Sequence, residues 1–221
     1  MKIIQAKQKI PEKIYNILSN EIVEFRPVQK KAIKSGLLER KNQLVCTPTA
    51  SGKTLVAELA FTKSIVEKFG KAIYIVPLKA LASEKYHEFK KKYGHLFNIA
   101  LSIGDLDKTE DYLAKYDLII CTSEKLDSLI RHRVSWLSDV ATVIIDEIHL
   151  LNDPGRGPTL EIIITLLREL LSNVQIIGLS ATIGNPEELA NWLDAELIID
   201  TWRPVELKKG IAMDTEIEFF E

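Results

Sequence analysis

Short, almost wholly apolar runs recur along the chain at Gln43–Thr47, Ala72–Val76, Ile99–Ile103, Leu118–Thr122, Val140–Asp146, Val174–Ser180 and Glu196–Asp200. Most are separated by segments in which apolar residues return at helical spacing: Thr54–Phe69, Leu78–Tyr93, Ser123–Arg133, Thr159–Leu171 and Pro186–Leu193. The runs do not alternate apolar with polar, so their strands must be covered on both faces. Doubly covered strands alternating with helices predict βαβ units, a parallel sheet and right-handed crossovers. Upstream, residues 11–20 place Ile14, Ile17 and Leu18 on one helical face, and a second helix is expected from Pro27 to about Arg40. The pattern divides the chain into a helical lead-in (1–24), one open α/β domain (25–200) and a tail (201–221) with strand character near Val205–Leu207. That tail ends without a closing element, and the expectation is one domain of a longer enzyme.

The chain has 221 residues, of which 46% are hydrophobic and 27% charged, enough apolar material for a substantial core and too ordered a pattern for a disordered segment. A net charge of −2 gives no global pull toward nucleic acid, so any polynucleotide partner must be held by local sites. No apolar run is long enough to span a bilayer, and Met1-Lys2-Ile3-Ile4 leads at once into polar residues rather than a secretory signal. Cys46 and Cys121 are too few for a disulfide framework and most simply fill core positions, which predicts a reduced, cytoplasmic protein. Abundant Ile and Lys with only 2 Met follow the bias of hyperthermophile proteins.

The candidate chemistry lies at strand ends. After the first run comes Thr47-Pro48-Thr49-Ala50-Ser51-Gly52-Lys53-Thr54, followed by a helix. Consecutive backbone N–H groups there can curl round an anion at a helix N-terminus. Gly52 permits close approach, Lys53 supplies a point charge to the outer phosphates of ATP, and the Thr54 hydroxyl can ligate Mg²⁺. The usual phosphate loop opens with Gly where this chain has Thr47. A Gly-Lys-Thr turn at an ordinary helix start is the bland alternative, and the strand before it argues against that.

A second strand ends in Asp146-Glu147-Ile148-His149. Asp146 can hold Mg²⁺ and Glu147 can orient and deprotonate a water attacking a phosphoryl group. Alone this could be a helix cap or a surface pair. With Lys53 at the same sheet edge, it predicts nucleotide hydrolysis.

Further strings occur in a recognisable order. Phe25-Arg26-Pro27-Val28-Gln29 is similar to the adenine-reading Q motif, Pro77-Leu78-Lys79-Ala80-Leu81-Ala82 to motif Ia, Thr122-Ser123-Glu124-Lys125 to motif Ib and Ser180-Ala181-Thr182 to motif III. With Asp-Glu-Ile-His they make the chain resemble the first RecA-like P-loop domain of a superfamily 2 DExH-box helicase. Thr122–Trp136, Arg156-Gly157-Pro158-Thr159-Leu160-Glu161 and Trp202-Arg203-Pro204-Val205 resemble the archaeal fork-repair, or Holliday-junction-migration, DNA helicases of the Ski-like group. The likeness covers roughly residues 24–211.

This resemblance implies a DNA repair helicase that uses ATP and Mg²⁺, acting on single-stranded or forked DNA together with a second RecA-like lobe and accessory domains of the same chain, with no membrane partner. It also implies roles. Gln29 would read adenine, though an isolated Gln would be read as solvated. Pro77, Leu78, Lys79, Thr122, Ser123 and Lys125 would meet the nucleic-acid backbone, against the alternatives of a plain N-cap at Thr122 and solvated lysines. His149, Ser180 and Thr182 would couple the nucleotide to the strand. Arg156 fits three roles equally: a DNA contact, an ion pair with Glu161 or a loop-shaping residue. None of the seven arginines lies in the Gln/Arg-rich pattern that supplies an arginine finger, which is worth ~10³–10⁵ in rate, so this segment alone is expected to hydrolyse ATP poorly. An RNA helicase of the same group and a nucleotide-gated binding module are the competing readings.

Overall fold

The structure, a computed structural model, describes residues 1–104, 111–171, 173–206, 208–213 and 216–220. Seven parallel strands form one sheet: β1 (Gln43–Cys46), β2 (Lys71–Val76), β3 (Ile99–Ser102), β4 (Leu118–Thr122), β5 (Val140–Ile145), β6 (Gln175–Ser180) and β7 (Glu196–Ile199), in the spatial order β3-β4-β2-β5-β6-β1-β7. Seven helices accompany them: α1 (Glu12–Glu21), α2 (Pro27–Lys34), α3 (Lys53–Val66), α4 (Lys79–Tyr93), α5 (Ser123–Arg131), α6 (Gly157–Leu170) and α7 (Pro186–Leu193). The predicted parallel sheet with helices on both faces is what forms, and the seven sheet strands and the helices between them lie within a few residues of their forecast positions.

Strand alternation sends successive side chains to two cores. Val45, Ala72, Tyr74, Val76, Ile120 and Ile144 join the cluster under α1 to α4, while Leu44, Cys46, Ile73, Ile75, Ile119 and Ile145 join the one under α5 to α7. This period of two explains why runs apolar at every position make good central strands here. On α6, the buried Leu160, Ile163, Ile164 and Leu167 repeat at i, i+3, i+4 and i+7, the spacing that seats one helix face on the sheet. The lead-in packs onto the opposite core, under α1 to α4, through Ile3, Ala6, Ile10, Ile14 and Leu18. Lys92 on α4 ties it down, with Nζ 2.5 Å from Glu21 Oε2 and 2.8 Å from the buried Glu58 Oε2.

Two forecasts need correction. The second helix stops at Lys34, not near Arg40, because Gly36 takes φ +92° and turns the chain; a Cβ there would lie 2.6 Å from the Lys41 side chain. In the tail, Pro204 and Val205 form a bend, and Pro204 has no N–H to give a ladder. Strand structure begins instead at β8 (Lys209–Met213), paired antiparallel with β9 (Glu216–Phe220). Leu207 and Glu221 lie outside the described residues. Among those residues no helix is long and apolar enough to cross a membrane.

Candidate nucleotide site and nucleic-acid face

The sheet order rearranges the motifs. Reading along the C-terminal rim from β1 to β6, β5, β2 and β4 gives the phosphate loop, Ser-Ala-Thr, Asp-Glu-Ile-His, Pro-Leu-Lys and Thr-Ser-Glu-Lys in succession. The rim of an open parallel sheet is where such folds bind ligands. A wide surface depression of about 820 Å³ lies elsewhere, lined by Arg40, Asn42, Asn173 and Asp194 among others. It contains none of the motif residues.

The phosphate loop is pinned at several points. Thr47 donates its N–H to the Ser180 carbonyl at 3.2 Å, joining the loop to the Ser-Ala-Thr segment. Its hydroxyl lies 2.7 Å from that of Ser51, both fully buried, so the Thr that replaces the usual Gly closes the loop from within. Pro48 is buried, while Thr49 and Ala50 are exposed. Ala50 takes φ +63° and Gly52 φ +96°, left-handed conformations that turn the backbone toward the start of α3. Thr54 follows Lys53 in the first turn of that helix, partly exposed.

The acidic strand end converges on this loop. Lys53 Nζ lies 3.8 Å from Glu147 Oε1, and the other Glu147 oxygen lies 3.3 Å from His149 Nδ1, a distance suited to an ion pair but not aligned as a hydrogen bond. Glu147 itself sits at φ +53°, where a non-glycine residue is strained, and such strain concentrates at working sites. Asp146 is held differently. Its Oδ2 accepts the Tyr74 hydroxyl at 2.9 Å and its Oδ1 accepts the Glu147 N–H at 3.0 Å. Burial holds the Asp146 carboxyl above the usual carboxylate range; the Tyr74 hydroxyl and Lys53 oppose this and the Glu147 charge reinforces it. Burial likewise raises the Tyr74 hydroxyl well above its ordinary value, so it stays a donor.

Residues of the Q-like string reach the loop from outside. Gln29 is 4% exposed, its Oε1 accepting the Arg26 N–H at 2.8 Å and its Nε2 donating to the Gly52 carbonyl at 3.0 Å. It is therefore neither solvated nor free to read a base in this conformation; it braces the loop. Arg26 was legible only as part of that string, yet its guanidinium donates to the Ala50 carbonyl at 2.6 Å and lies 5.6 Å from the Trp202 ring centroid. Tyr74 and Trp202 went unassigned. The signal for Tyr74 was a lone hydroxyl in the apolar run Ala72–Val76, and nothing along the chain links it to Asp146, 72 positions away.

On the nucleic-acid half, Thr122 caps α5 by accepting the Lys125 N–H at 3.4 Å, and both Thr122 and Ser123 are largely buried. Lys79 and Leu78 are exposed at the start of α4. A groove of about 300 Å³ runs between these helix starts, lined by Pro77, Leu78, Lys79, Ile103, Gly104 and Thr122 among others. Lys125 is only 1% exposed, yet it too lies along the wall of this groove. Thr182 is exposed just past β6, whereas Ser180 is buried at its end. Asp153 Oδ1 accepts the N–H groups of both Gly155 and Arg156 at 2.9 Å, shaping the loop, and a Cβ at Gly157 would collide with the Leu151 carbonyl. Among the described residues no ion pair joins Arg156 to Glu161. Arg156 instead lines a small cleft with Asp146, Glu147 and Ser123.

The family model of the DEAD/DEAH box helicases matches residues 26–189, which run from Arg26 of the Q-like string past Ser-Ala-Thr. The chain belongs to the DEAD/DEAH box helicases. Within that family it is 60% identical over 216 residues to the ATP-dependent DNA helicase Hel308 of Methanocaldococcus jannaschii, covering 94% of this chain and 18% of that protein. To Hel308 of Pyrococcus abyssi it is 55% identical, covering 91% of this chain and 28% of that protein. The chain thus spans less than a third of the relatives it matches. Its fold is similar to that of the DUF1998 helicase MrfA in a crystal structure bound to DNA, with a TM-score of 0.76 and 27% identity over 87% of this chain and 30% of that one. A second MrfA structure, bound to DNA and AMPPNP, matches at a TM-score of 0.75 and 28% identity, covering 87% of this chain and 29% of that one. As a DEAD/DEAH box domain, the chain carries its family's strings on one rim.

Proposed function

We propose that this chain is the ATP-binding RecA-like lobe of an ATP-dependent DNA helicase, in which hydrolysis drives movement along a single strand and opening of forked or branched DNA. The observation that carries this reading is the meeting of Lys53, at the start of α3, and Glu147, just past the end of β5, across 3.8 Å beside Asp146. An ammonium, a carboxylate base and a second carboxylate at one phosphate-binding loop are the parts phosphoryl transfer needs. The names of the relatives add DNA as the polymer and ATP as the nucleotide.

Lys53, 3.8 Å from Glu147, would exchange that partner for the outer phosphates. Glu147, released, would accept a proton from the attacking water, with its strained backbone keeping the carboxylate at the mouth of the site. Gln29 and Arg26 would surrender their loop carbonyls as the nucleotide arrives, which leaves the Gln29 amide able to read adenine. Thr54 and Asp146 supply hard oxygen donors of the kind Mg²⁺ takes beside a triphosphate. Mg²⁺, when bound there, would neutralise charge on the phosphates. Ser180 and Thr182, between the loop and the acidic strand, would carry the nucleotide's state toward the strand-binding side, with His149 reporting from Glu147. A reduced cytoplasmic setting suits the two buried free thiols, Cys46 being pushed up to about 11 chiefly by burial.

Strand binding would run through the starts of α4 and α5, with Lys79, Thr122 and Ser123 meeting phosphates independently of sequence. The second RecA-like lobe, with its arginine finger, would complete the ATPase. In a longer protein that carries this lobe, Glu147→Gln is expected to keep ATP and forked-DNA binding while lowering turnover by roughly 10²–10⁴-fold. Normal ATP cycling in that variant would refute the assignment. Unwinding assays with forked DNA and tailed RNA in competition fix the polymer, and preference for RNA would overturn the DNA reading.

A further inference from the structure

Tyr74 is the one residue of β2 whose side chain carries a polar group into the core, and its ring is wholly buried. Phe61 meets it edge-on at 6.4 Å and Phe89 at 5.3 Å, so the ring has little room to turn. A buried phenol needs a partner, and most find a backbone carbonyl or a water. This one finds Asp146 Oδ2 at 2.9 Å.

Register makes that contact inevitable. Tyr74 lies opposite Ile144 in the parallel pair of β2 with β5, and Asp146, two residues on, points to the same face. The ladder continues past the strand, with the Asp146 N–H donating to the Ile75 carbonyl at 2.9 Å. With Oδ1 already taken by the Glu147 N–H at 3.0 Å, each carboxylate oxygen has one fixed donor. The carboxylate cannot rotate without losing both, and an ionised carboxylate still keeps about two further acceptor positions free for a ligand.

We propose that Tyr74 is a positioning residue of the nucleotide site: its hydroxyl, delivered from the neighbouring strand, fixes the Asp146 carboxylate in the orientation that receives a cation accompanying the phosphates. The inference rests on the nucleotide-site reading above and deepens it. Tyr74 touches neither nucleotide nor cation; it acts through Asp146. It also gives β2, whose end carries the Pro77-Leu78-Lys79 segment, a direct bond to the nucleotide side.

The test is Tyr74→Phe in the 221-residue chain, which removes one oxygen and keeps the ring. Binding of a fluorescent nonhydrolysable ATP analogue is titrated in EDTA and against rising Mg²⁺, beside thermal melts. The expected result is unchanged binding in EDTA, an apparent Mg²⁺ half-saturation raised by about 10-fold, and a cooperative melt. Tyr74→Met, apolar and flexible enough to occupy the ring's space, provides a second comparison and is expected to show the same split. An Mg²⁺ half-saturation equal to that of the native chain, in a folded variant and with Asp146→Asn abolishing the Mg²⁺ response, would reduce Tyr74 to a packing residue and overturn the proposal. If the native chain bound the analogue with no Mg²⁺ response at all, the nucleotide-site reading itself would fall and take this inference with it.

Discussion

The two halves of the rim are built on different principles. On the β1–β6–β5 half, side chains of opposite charge face one another and the loop is cross-braced from four directions: Thr47 to Ser51 within, Ser180 beside, and Arg26 and Gln29 from α2 and its approach. On the β2–β4 half, the polar groups are already satisfied by the fold. Thr122 caps its own helix and Lys125 is almost wholly buried along the groove wall, while Lys79 is exposed at the start of α4. A triphosphate is a compact ligand of high charge, and it rewards a few convergent groups held rigid. A strand backbone repeats, and it rewards dispersed weak contacts that can slip from one phosphate to the next.

That contrast can be broken by experiment. The largest effect should come from Lys53→Ala, which under the proposed reading removes the cation that meets the phosphates. ATP-analogue affinity measured by fluorescence titration should fall by roughly 10²-fold, about 3 kcal/mol, with strand binding in EDTA unaffected. Equal losses on both ligands would show the halves to be one site. Next comes Gly52→Ala, whose Cβ would sit 2.5 Å from Gln29 Nε2 at φ +96°. We expect a stability loss of about 1–2 kcal/mol in chemical unfolding together with weakened nucleotide binding, because the loop and its brace must both shift. A variant as stable and as tight as the native chain would show that the brace is incidental.

Smaller is Thr122→Ala, which deletes the α5 cap and should cost about 1 kcal/mol of stability while weakening single-strand binding and leaving Mg²⁺–nucleotide affinity alone. Loss of nucleotide affinity there would blur the division between the halves. The smallest effect lies far from both. Glu24 accepts from Lys30 Nζ at 2.6 Å and from the Met1 ammonium at 3.1 Å, and these donors, Lys30 foremost, depress its carboxyl from an ordinary 4.5 to about 2. A depressed carboxyl contributes stability above its unfolded value and loses it as pH falls, here between about 4.5 and 2. The cluster is solvent-exposed and screened, so Glu24→Gln should flatten only slightly the acid limb of a melting-temperature profile, and not at all in high salt. A large change would place the lead-in among the determinants of stability.

Local signals were read well because they depend on neighbours in the chain. Apolar runs at Leu118–Thr122 and Val140–Ile145 announced strands, and the Gly-Lys-Thr string lies where expected, between a strand and a helix. The end of α2 was misjudged since periodicity continues past Gly36 while the backbone does not. The burial of Thr122, Ser123 and Lys125 was hidden for a related reason: nothing in a string of four polar residues says that only Glu124 faces solvent.

The amino-acid sequence alone determined that a parallel sheet would form, that helices would cover both faces, and which side chains could carry the chemistry, because hydrophobic period and residue type are properties of short segments. Only the tertiary structure decided who meets whom. Placing β6 between β1 and β5 sets Ser180 beside the loop, and pairing β2 with β5 brings the Tyr74 hydroxyl, 72 positions away, to Asp146. Strand order and register are settled by packing between segments far apart in the chain, and no window along the sequence contains both partners of such a contact.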